Sequence, residues 1–490
     1  WACLIFLVVL VAVVFYPSLD YGFVNYDDDK MVYENEMIKE LTAENVLKIF
    51  TSYHYVNYVP LVILTYAVEH HFFGLNPKVF HLTNLSLHLL NSLLVFWIIL
   101  LLTKRTSSAF LVAALFGIHP MHVESVVWIT ERKDVLYTLF FLGSIVSYVY
   151  YRQEKGARRY YTLSLFLFVL ALLSKSMAVT LPFVLLLIDY LQGRTFDKKM
   201  FVDKIPYLLP AVLIGGVAYV SAILHPEMTR DSITAALPLW KRMFVANYVL
   251  LFYVPKLLVP MSLSAIYPYP PNISSELPAL FYGVSLVSII LISAILISRK
   301  YARKIIFGSL FYVITIAPTI HLIPRIGPDI AADRFTYVPS IGLFYLLVFG
   351  VERLWKGDHK WGKVCLWGGI IIILSLLARN RSRVWENSFA LWNDVLTKHP
   401  NVEAALGHRA GLYLKNGKAR EAIADYDRII ALEPRHAKAF NNRGNAYNLL
   451  GRYDTAIKDF SGAISSKPDY VVAILNRGKS HLYKREFEEA

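Results

Sequence analysis

The chain has 490 residues, of which 56% are hydrophobic and only 18% are charged. A soluble domain keeps about a quarter of its residues charged, so this composition excludes an ordinary soluble protein. The formal net charge of +14 indicates basic loops beside a membrane rather than nucleic-acid binding, because the apolar residues are concentrated in long runs.

Apolar runs recur along the first three quarters of the chain. A membrane helix needs about 20 such residues. The candidate spans are residues 2–17, 79–102, 107–119, 134–151, 160–174, 177–191, 205–224, 278–298, 305–320, 338–353 and 363–379. Two further segments, 59–73 and 243–260, are ambiguous, the first because it contains Glu69, His70 and His71. The pattern predicts an all-α membrane helical bundle over residues 1–379, with about 11–13 membrane segments.

Basic clusters predict the orientation of this bundle, because Lys and Arg favour the cytoplasmic side. The clusters lie at residues 104–105, 152–159, 194–204, 299–304 and 353–363. Alternation then puts residues 18–58, 119–133, 225–240 and 321–337 on the opposite side, with everything after residue 379. This count requires that residues 243–260 do not form a simple span. One basic cluster favours the opposite orientation, because Arg379, Arg381 and Arg383 directly follow the last span. We keep the first orientation because a larger number of loops is consistent with it.

Residues 380–490 show a period of 34. The period is carried by proline, tyrosine, glycine and alanine positions: Pro400, Pro434 and Pro468; Tyr413 and Tyr447; Gly417 and Gly451; Ala422 and Ala456. This spacing is typical of tetratricopeptide repeats, which form an α-solenoid. Residues 385–399 resemble the second helix of an earlier, degenerate repeat. Because the sequence begins at Trp1 and stops inside a repeat, we expect a fragment of a longer chain.

Three adjacent acids, Asp27, Asp28 and Asp29, follow the first span directly. Neighbouring carboxylates near a membrane surface repel one another, so at least one should have a raised pKa or recruit a cation or a hydrogen-bond donor. The alternative is a solvated loop that is acidic without a function.

A second polar cluster, residues 119–125, lies between two predicted spans on the same side as the acids. His119, His122 and Glu124 have side chains that suit a divalent metal. The alternatives are a helix break at the His-Pro dipeptide and a set of polar residues at the membrane interface. The cluster is followed by Trp128, Glu131, Arg132, Lys133 and Asp134, of which Arg132 and Asp134 are expected in the same active site.

Two cations occur on this side, where positive charge is otherwise sparse. Lys175 lies at a Leu-Ser-Lys-Ser break between apolar runs, and Arg334 lies in the run 333–339. Either could hold a phosphate, Arg334 through two parallel hydrogen bonds. The alternative is an ion pair with an acid of the protein, such as Asp333 or Asp329 for Arg334.

Acids, a Lys and an Arg on one face of a helical bundle suit a reaction with a phosphate-linked donor held in the bilayer. An acid can deprotonate a hydroxyl nucleophile, and the cations can stabilise charge on the leaving phosphate. Such a mechanism requires no metal, so we expect no obligatory cofactor. A loosely held divalent cation at His119, His122 and Glu124 stays open. Two cysteines, Cys3 and Cys365, far apart in apolar runs, favour neither a disulfide framework nor a cysteine-ligated metal.

The order of these motifs resembles that of a known family. An acidic pair after the first span precedes His-Pro-x-His-x-Glu, Arg-x-Asp, a Leu-Ser-Lys break, Asp-Arg-Phe-x-Tyr-x-Pro and the repeats. The combination resembles the transmembrane and tetratricopeptide-repeat protein O-mannosyltransferases and their prokaryotic relatives, of the GT-C class of lipid-phosphosugar-dependent glycosyltransferases. The resemblance covers the whole chain.

The resemblance implies a role for each matching residue. One of Asp27 and Asp28 would be the catalytic base, and the additional acid Asp29 leaves that choice open. The other matching positions are His119, His122, Glu124, Arg132 and Asp134 in the second loop, Lys175 and Arg334 at the donor phosphate, and Asp333 and Tyr337 in the late loop. The family implies a polyprenyl-phosphate sugar donor and an inverting transfer, and it establishes neither mannose nor a protein acceptor here.

We therefore expect a multi-pass membrane glycosyltransferase, in a bacterial or archaeal inner membrane or in the endoplasmic reticulum of a eukaryote. The expected partners are membrane lipid, the lipid-linked sugar, and an acceptor polypeptide or partner protein in the repeat groove, and nucleic acid is not among them. The repeats would lie on the non-cytoplasmic side. The alternative for them is a docking module unrelated to catalysis.

Two other classes of function stay open. A non-enzymatic membrane scaffold could display the repeats, but it would not need Asp27, Asp28, Lys175 and Arg334 on one side. A transporter or lipid-linked glycan ligase is the other alternative. A transporter typically carries ionisable residues near mid-span and internal membrane repeats, neither of which the sequence shows clearly.

Overall fold

The computed structural model describes residues 1–54, 57–154, 157–224, 233–297, 302–322, 329–355 and 360–484. Contacts divide the chain into two units. The first comprises Trp1–Phe23 and Asp27–Glu386, and the second comprises Val24–Tyr26 and Asn387–Ala490. The second unit therefore includes three residues from the loop that precedes the acids.

The first unit is built from α-helices. They are Ala2–Phe15, Ala43–Thr51, Pro60–Phe73, Pro77–Thr103, Thr106–Ile118, Val123–Val127, Arg132–Gln153, Arg158–Ser174, Leu181–Leu191, Lys198–Val202, Ile205–Leu224, Ile233–Ala236, Leu239–Leu258, Ala279–Ile297, Ala302–Ile316, Ser340–Leu354 and Lys360–Ser382. Two short strands, Tyr267–Pro268 and Asp329–Ala331, pair antiparallel. Each predicted span contains a helix, and so do the two ambiguous segments, so the prediction of an all-α bundle is confirmed.

Five helices in the described residues are long and apolar enough to cross a membrane: Ala2–Asp20, Pro77–Thr103, Ile129–Gln153, Lys198–Val217 and Trp361–Trp385. A sixth candidate is the pair Thr106–Ile118 and Pro120–Val127, which is bent by 52° at its break. Large apolar side chains on these helices are exposed, among them Ile5, Phe6 and Val212. Apolar surface of this extent is stable against lipid, and the chain is a multi-pass membrane protein.

Helix breaks expose backbone and position the polar residues of the first unit. His119 has extended backbone angles (φ −70°, ψ 132°), and Pro120 after it lacks the N–H that would continue the helix. Lys175 is likewise extended (φ −160°, ψ 132°) between Arg158–Ser174 and the 3-10 turn Ser176–Thr180. Side chains at such breaks can point into the bundle at a helix end.

The second unit consists of antiparallel helix pairs. Its helices are Ser388–Lys398, Glu403–Lys415, Ala419–Leu432, Ala437–Leu449, Tyr453–Ser466 and Val471–Lys484. Gly417 and Gly451 occupy the turns between paired helices with φ of +71° and +68°, a conformation that glycine adopts without strain. A Cβ on Gly444 would lie 2.8 Å from the Phe460 ring, so the helices of that pair cross closely. The predicted tetratricopeptide architecture is confirmed.

Arginine side chains tie successive repeats together at the same 34-residue period. Arg409 binds Asp425 with two parallel hydrogen bonds of 2.8 and 2.7 Å, and Arg443 binds Asp459 in the same way. Arg443 also donates to Asp427 of the preceding helix pair at 2.6 Å. The bidentate bonds fix each arginine fork within its own helix pair, and the bond from Arg443 to Asp427 joins that pair to the preceding one.

Candidate active site

Glu131 is the acidic centre of a buried ion cluster in the first unit. Its carboxylate lies 3.0 Å from Lys133 Nζ, 3.3 Å from Arg334 Nε and 3.5 Å from Lys175 Nζ. Glu131 itself is fully buried. Three cations from three different segments of the chain therefore share one carboxylate, which offsets the cost of burying these charges.

Lys175 reaches the cluster from its helix break. It forms an ion pair with Asp134, and Asp134 also accepts a hydrogen bond from Ser125 Oγ at 3.0 Å. The Lys175 side chain is 12% exposed. Two predicted site residues, Lys175 and Asp134, thus come together, and Lys175 is an ion-pair partner in this structure.

Arg334 enters the cluster from the 3-10 turn Asp333–Thr336. Its Nη1 lies 2.5 Å from Glu124 Oε1, and its backbone N–H donates to the other oxygen of Glu124 at 3.2 Å. Nη2 lies 3.6 Å from Asp329. The guanidinium also lies over the rings of two aromatic residues, Trp128 and Phe335, at 5.6 and 4.8 Å from their centroids.

The three adjacent acids have different surroundings. Asp28 is buried, and its Oδ1 accepts hydrogen bonds from both the backbone N–H and the hydroxyl of Thr130. Asp29 caps the backbone N–H of Lys30 at 2.9 Å. Asp27 is partly buried, and desolvation raises its pKa from 3.8 to about 6.

Three of the four charged groups that act on the pKa of Asp27 belong to the ion cluster. Lys133 and Arg334 favour the ionised carboxylate, whereas Glu131 and Asp29 oppose it. Burial outweighs the cations, so the pKa stays raised. A carboxylate with a pKa near 6 is a stronger base than an ordinary Asp and is still ionised at neutral pH, which suits general base catalysis.

Asp333 and Tyr337 are buried next to the cluster but bind other groups. Tyr267, from the first short strand, donates its hydroxyl to Asp333 Oδ1 at 2.8 Å. The Tyr337 hydroxyl lies 2.6 Å from His88 Nδ1 and 3.3 Å from Asn91 Nδ2. These contacts fix the two ends of the turn that carries Arg334.

Arg132 lies in a separate buried network rather than among the ion-cluster residues. It donates to Glu69 at 2.6 Å, to Asn84 Oδ1 at 2.8 Å and to the Phe80 carbonyl at 2.8 Å. Its guanidinium lies 4.6 Å from the centroid of the Tyr66 ring. Arg132 is fully buried, and these contacts describe a residue that ties helices together.

His119 and His122 use both ring nitrogens within the fold. His119 Nε2 lies 3.1 Å from the Leu257 carbonyl oxygen. Because that oxygen can only accept, Nε2 carries the proton, and Nδ1 accepts a hydrogen bond from the Met121 N–H. His122 Nδ1 lies 2.7 Å from the Phe116 carbonyl, and Nε2 lies 3.0 Å from Ser340 Oγ. Nδ1 of His119 therefore already accepts a hydrogen bond, Nδ1 of His122 donates to a backbone carbonyl, and Glu124 is paired with Arg334.

The three residues considered from sequence as metal ligands are therefore in contact with protein groups in this structure. Among the residues that the structure describes, converging ligand atoms occur instead at Glu403, Glu433 and His436 of the repeats, within 4.8 Å of one another. The first two of these are exposed and the third is partly buried, and acidic surface groups of this kind are common without an ion.

Sequence reasoning placed Glu131 and Lys133 in the second polar cluster without assigning them a site role, and it omitted Thr130. A signal was present, because Glu131 and Asp134 are three residues apart at the start of a helix and share a face. That spacing could have grouped them with each other rather than with Arg132, whose side chain points to a different network.

Comparison with known proteins supports both parts of the description. A family model described as tetratricopeptide repeat matches residues 409–471. The chain is 26% identical over 428 residues to "Protein O-mannosyl-transferase TMTC1" of Homo sapiens, covering 77% of this chain and 48% of the relative. It is 27% identical over 497 residues to "Protein O-mannosyl-transferase TMTC4" of Homo sapiens, covering 87% of this chain and 66% of the relative.

A relative from Drosophila melanogaster, "Protein O-mannosyl-transferase Tmtc3", is 24% identical over 514 residues, which cover 87% of this chain and 55% of the relative. The chain spans about half the length of the first of these relatives. The resemblance drawn from the motifs is supported at the level of the family.

Proposed function

We propose that this protein is a multi-pass membrane glycosyltransferase of the GT-C class. It moves a hexose, mannose by the names of its relatives, from a polyprenyl-phosphate donor to a hydroxyl group of an acceptor polypeptide, with inversion at the anomeric carbon. The observation that carries the proposal is the buried cluster in which Arg334 and Lys175 share Glu131, and Arg334 of that cluster also acts on the raised pKa of Asp27.

Asp27 is the proposed base. Asp28 is less suited, because one of its oxygens already accepts two hydrogen bonds from Thr130 and anchors the segment. In the proposed step, the acceptor hydroxyl gives its proton to Asp27, and its oxygen forms a bond to the anomeric carbon. The bond from that carbon to the phosphate oxygen breaks, and the electron pair leaves with the polyprenyl phosphate.

Arg334 and Lys175 are the proposed partners of the leaving phosphate. Both are held by carboxylates here, Arg334 by Glu124, Glu131 and Asp329. A phosphate that enters the cluster must replace at least one of these carboxylates, because each cation has a limited number of donors. The carboxylates thus keep the cations in place until the donor arrives.

No obligatory metal is part of the proposal. The imidazole nitrogens of His119 and His122 are hydrogen-bonded, and the base and the cations named above account for the proton and the leaving charge. The test is activity after treatment with EDTA. Loss of transfer that one specific divalent metal restores would contradict this part of the proposal.

The repeats are proposed to lie on the non-cytoplasmic side and to dock the acceptor or a partner in their concave groove. Support comes from Val24–Tyr26, which pack with the repeat helices although they belong to the loop that carries the acids. Because Asp27 is the next residue along the chain, the acids and the repeats are expected on one side of the membrane.

Cysteine labelling tests the sidedness. In a background in which Cys3 and Cys365 are replaced by Ser, Asn416→Cys introduces a thiol at an exposed helix end. A membrane-impermeant reagent should label it only from the non-cytoplasmic side of sealed vesicles. Labelling only from the cytoplasmic side would contradict both the orientation and the docking of a non-cytoplasmic acceptor.

The activity is tested with the purified chain in nanodiscs. The assay supplies radiolabelled polyprenyl-phosphate mannose and peptides that contain Ser and Thr, with polyprenyl-phosphate glucose in a parallel reaction. The expected result is label on the peptide, and linkage-specific mannosidases report whether the configuration has inverted. Transfer to a lipid-linked glycan alone would favour a ligase, and no transfer from either donor by the folded protein would contradict the proposal.

A further inference from the structure

A partly open cleft lies at one end of the first unit. Four helices begin or end beside it: Pro77–Thr103, Thr106–Ile118, Ala302–Ile316 and Ser340–Leu354. The cleft has about 350 Å³ of empty space, part of it open to the surroundings, and its lining includes Arg105, Ser108, Lys304, Tyr345, Phe349 and Glu352.

The cleft is far from the candidate active site. Asn84 lies on the helix that ends at Thr103, and it donates to the carbonyls of Trp128 and Ile129 beside the ion cluster. At about 1.5 Å of rise per residue, Asn84 and Thr103 are about 28 Å apart along that helix. The cleft and the ion cluster therefore lie at opposite ends of the helix.

A close helix crossing positions one cation of the cleft. A Cβ on Gly308 would lie 2.9 Å from the Gly342 carbonyl oxygen, so the two helices that carry these glycines approach without side chains between them. Lys304 is one turn before Gly308, and its ammonium lies 4.9 Å from the centroid of the Phe349 ring on the other helix. This cation–π contact holds Lys304 over the cleft.

The charges of the cleft leave an excess of positive charge. Arg105 Nη1 lies 3.3 Å from Glu352, which also accepts a hydrogen bond from Ser108 Oγ at 2.9 Å. Lys304 has no carboxylate partner among the residues that the structure describes. Two cations and one carboxylate give one net positive charge, which the single negative charge of a phosphodiester would neutralise.

Two further groups at the cleft suit an oxygen-rich anion. Tyr345 is buried, and within the described ranges of the chain its hydroxyl has no hydrogen-bond partner. A hydroxyl buried in this way is stabilised by an acceptor from a ligand. The helix Thr106–Ile118 begins beside the cleft, and no side chain caps its first turn, so its backbone N–H groups are also directed toward an acceptor.

Hydrophobic side chains continue from the cleft into the bundle. Ile99, Leu102, Phe307 and Phe311 belong to a crevice that is lined only by hydrophobic residues. The Tyr345 ring meets Phe307 edge-on, with centroids 5.4 Å apart, so the cleft and the crevice adjoin. A charged cleft that leads to an apolar crevice matches a lipid, whose headgroup is joined to hydrocarbon, better than it matches a soluble phosphate.

We propose that this cleft binds the headgroup of an anionic phospholipid from the leaflet at this end of the bundle. The phosphodiester contacts Arg105 and Lys304, the Tyr345 hydroxyl is a further donor, and the acyl chains follow the apolar crevice. The basic clusters predict that this leaflet is the cytoplasmic one, whose anionic lipids attract Lys and Arg. The inference goes beyond the proposed function, since it requires neither the ion cluster nor sugar transfer.

Photo-crosslinking of the purified full chain tests the site. The chain is placed in phosphatidylcholine nanodiscs with increasing phosphatidylglycerol that carries a photoreactive group on its acyl chain. Crosslinks are expected in peptides covering residues 95–112 and 302–311, at a lower lipid fraction than with photoreactive phosphatidylcholine. The double variant Arg105→Gln and Lys304→Gln should weaken binding roughly 10- to 30-fold, because each cation near an anionic lipid contributes on the order of fivefold.

Two variants separate the cleft from general surface charge and from loss of structure. The matched control is Arg158→Gln with Lys199→Gln, which removes two exposed cations of the first unit that do not line the cleft. It changes the net charge equally and should leave the crosslinks unchanged. Glu352→Gln keeps an acceptor for Ser108 and removes the negative charge, so affinity should rise roughly two- to fivefold, whereas a damaged cleft would bind less.

The outcomes are distinct. Equal crosslinking of the wild type and of the variant lacking Arg105 and Lys304 would overturn the inference, and so would an equal loss in the control. Displacement of the lipid by soluble glycerol phosphate at equal concentration would show a site for a free phosphate and would overturn the assignment to lipid. Sugar transfer enters none of these measurements, so failure of the inference is distinguishable from failure of the proposed function.

Discussion

Arg334 and Glu124 are separated by 210 residues in sequence, yet Arg334 Nη1 lies 2.5 Å from Glu124 Oε1. The backbone N–H of Arg334 also donates to the same carboxylate, so two loops from distant spans are joined at one point. Removing one partner of a buried ion pair typically costs about 3–5 kcal/mol. Activity measurements on this cluster therefore need a parallel measurement of stability.

Asp27→Asn is expected to lower kcat roughly 10²- to 10⁴-fold, because the amide keeps the shape of the side chain and cannot accept the proton. The transfer assay measures this, with thermal unfolding to show that the fold is retained. Glu36→Gln is the matched control, since Glu36 is an exposed acid of the same loop that pairs with Lys39. Near wild-type activity in Asp27→Asn would remove this residue as the base.

The pH profile of kcat/KM should rise through a midpoint near pH 6, the raised pKa of Asp27. The base must be ionised, so activity is low below the midpoint and reaches a plateau above it. The same shift makes the folded protein bind this proton more tightly than the unfolded chain. Stability from this group therefore falls as pH rises from 3.8 to about 6. Activity that is level between pH 5 and pH 8 would contradict the assignment.

Arg334→Lys should raise KM for the polyprenyl-phosphate donor roughly tenfold, because a point charge replaces a planar fork that can bind two oxygens. Thermal unfolding of the same variant shows whether a change in the donor KM is separate from a loss of stability. A purely structural Arg334 would lower the melting temperature and leave the donor KM unchanged, whereas a phosphate partner would change KM as well. Lys175→Gln tests the second cation in the same way. An unchanged donor KM in both variants would assign both residues to structural ion pairs.

Arg132→Met should destabilise the protein by about 3–5 kcal/mol, because it leaves Glu69 buried without its cation. The double variant Arg132→Met and Glu69→Met should recover much of the loss, since both charges are then gone. Unfolding in denaturant measures the difference. A variant Arg132→Met of wild-type stability that has lost catalysis alone would instead place Arg132 in the active site.

Gly444→Ala should destabilise the second complete repeat by about 1–3 kcal/mol, because its Cβ would lie 2.8 Å from the Phe460 ring. Gly411→Ala is the control, as a Cβ there has no neighbour within 4 Å and helix propensity favours alanine. Hydrogen exchange across residues 437–466 should rise in the first variant and stay level or fall in the second. Equal exchange in the two variants would contradict the close crossing of the helices.

The sequence alone was sufficient for the architecture. Apolar runs and a period of 34 residues are local patterns, and they reflect a requirement that each helix must meet by itself, namely burial of one face or contact with lipid. The motif order was also sufficient to group Asp27, Glu124, Asp134, Lys175 and Arg334 as candidates, because polar residues at helix breaks are rare in such a chain.

Only the tertiary structure separated the roles within that group. Asp27 and Asp28 are neighbours in sequence, and what distinguishes them is Thr130 on one and the cluster of Lys133 and Arg334 near the other. In the same way, Arg132 binds Glu69 while the adjacent Glu131 binds three cations. Burial and ion pairing depend on segments tens to hundreds of residues away, so local sequence determines which residues are polar and the packing of distant helices determines what each one binds.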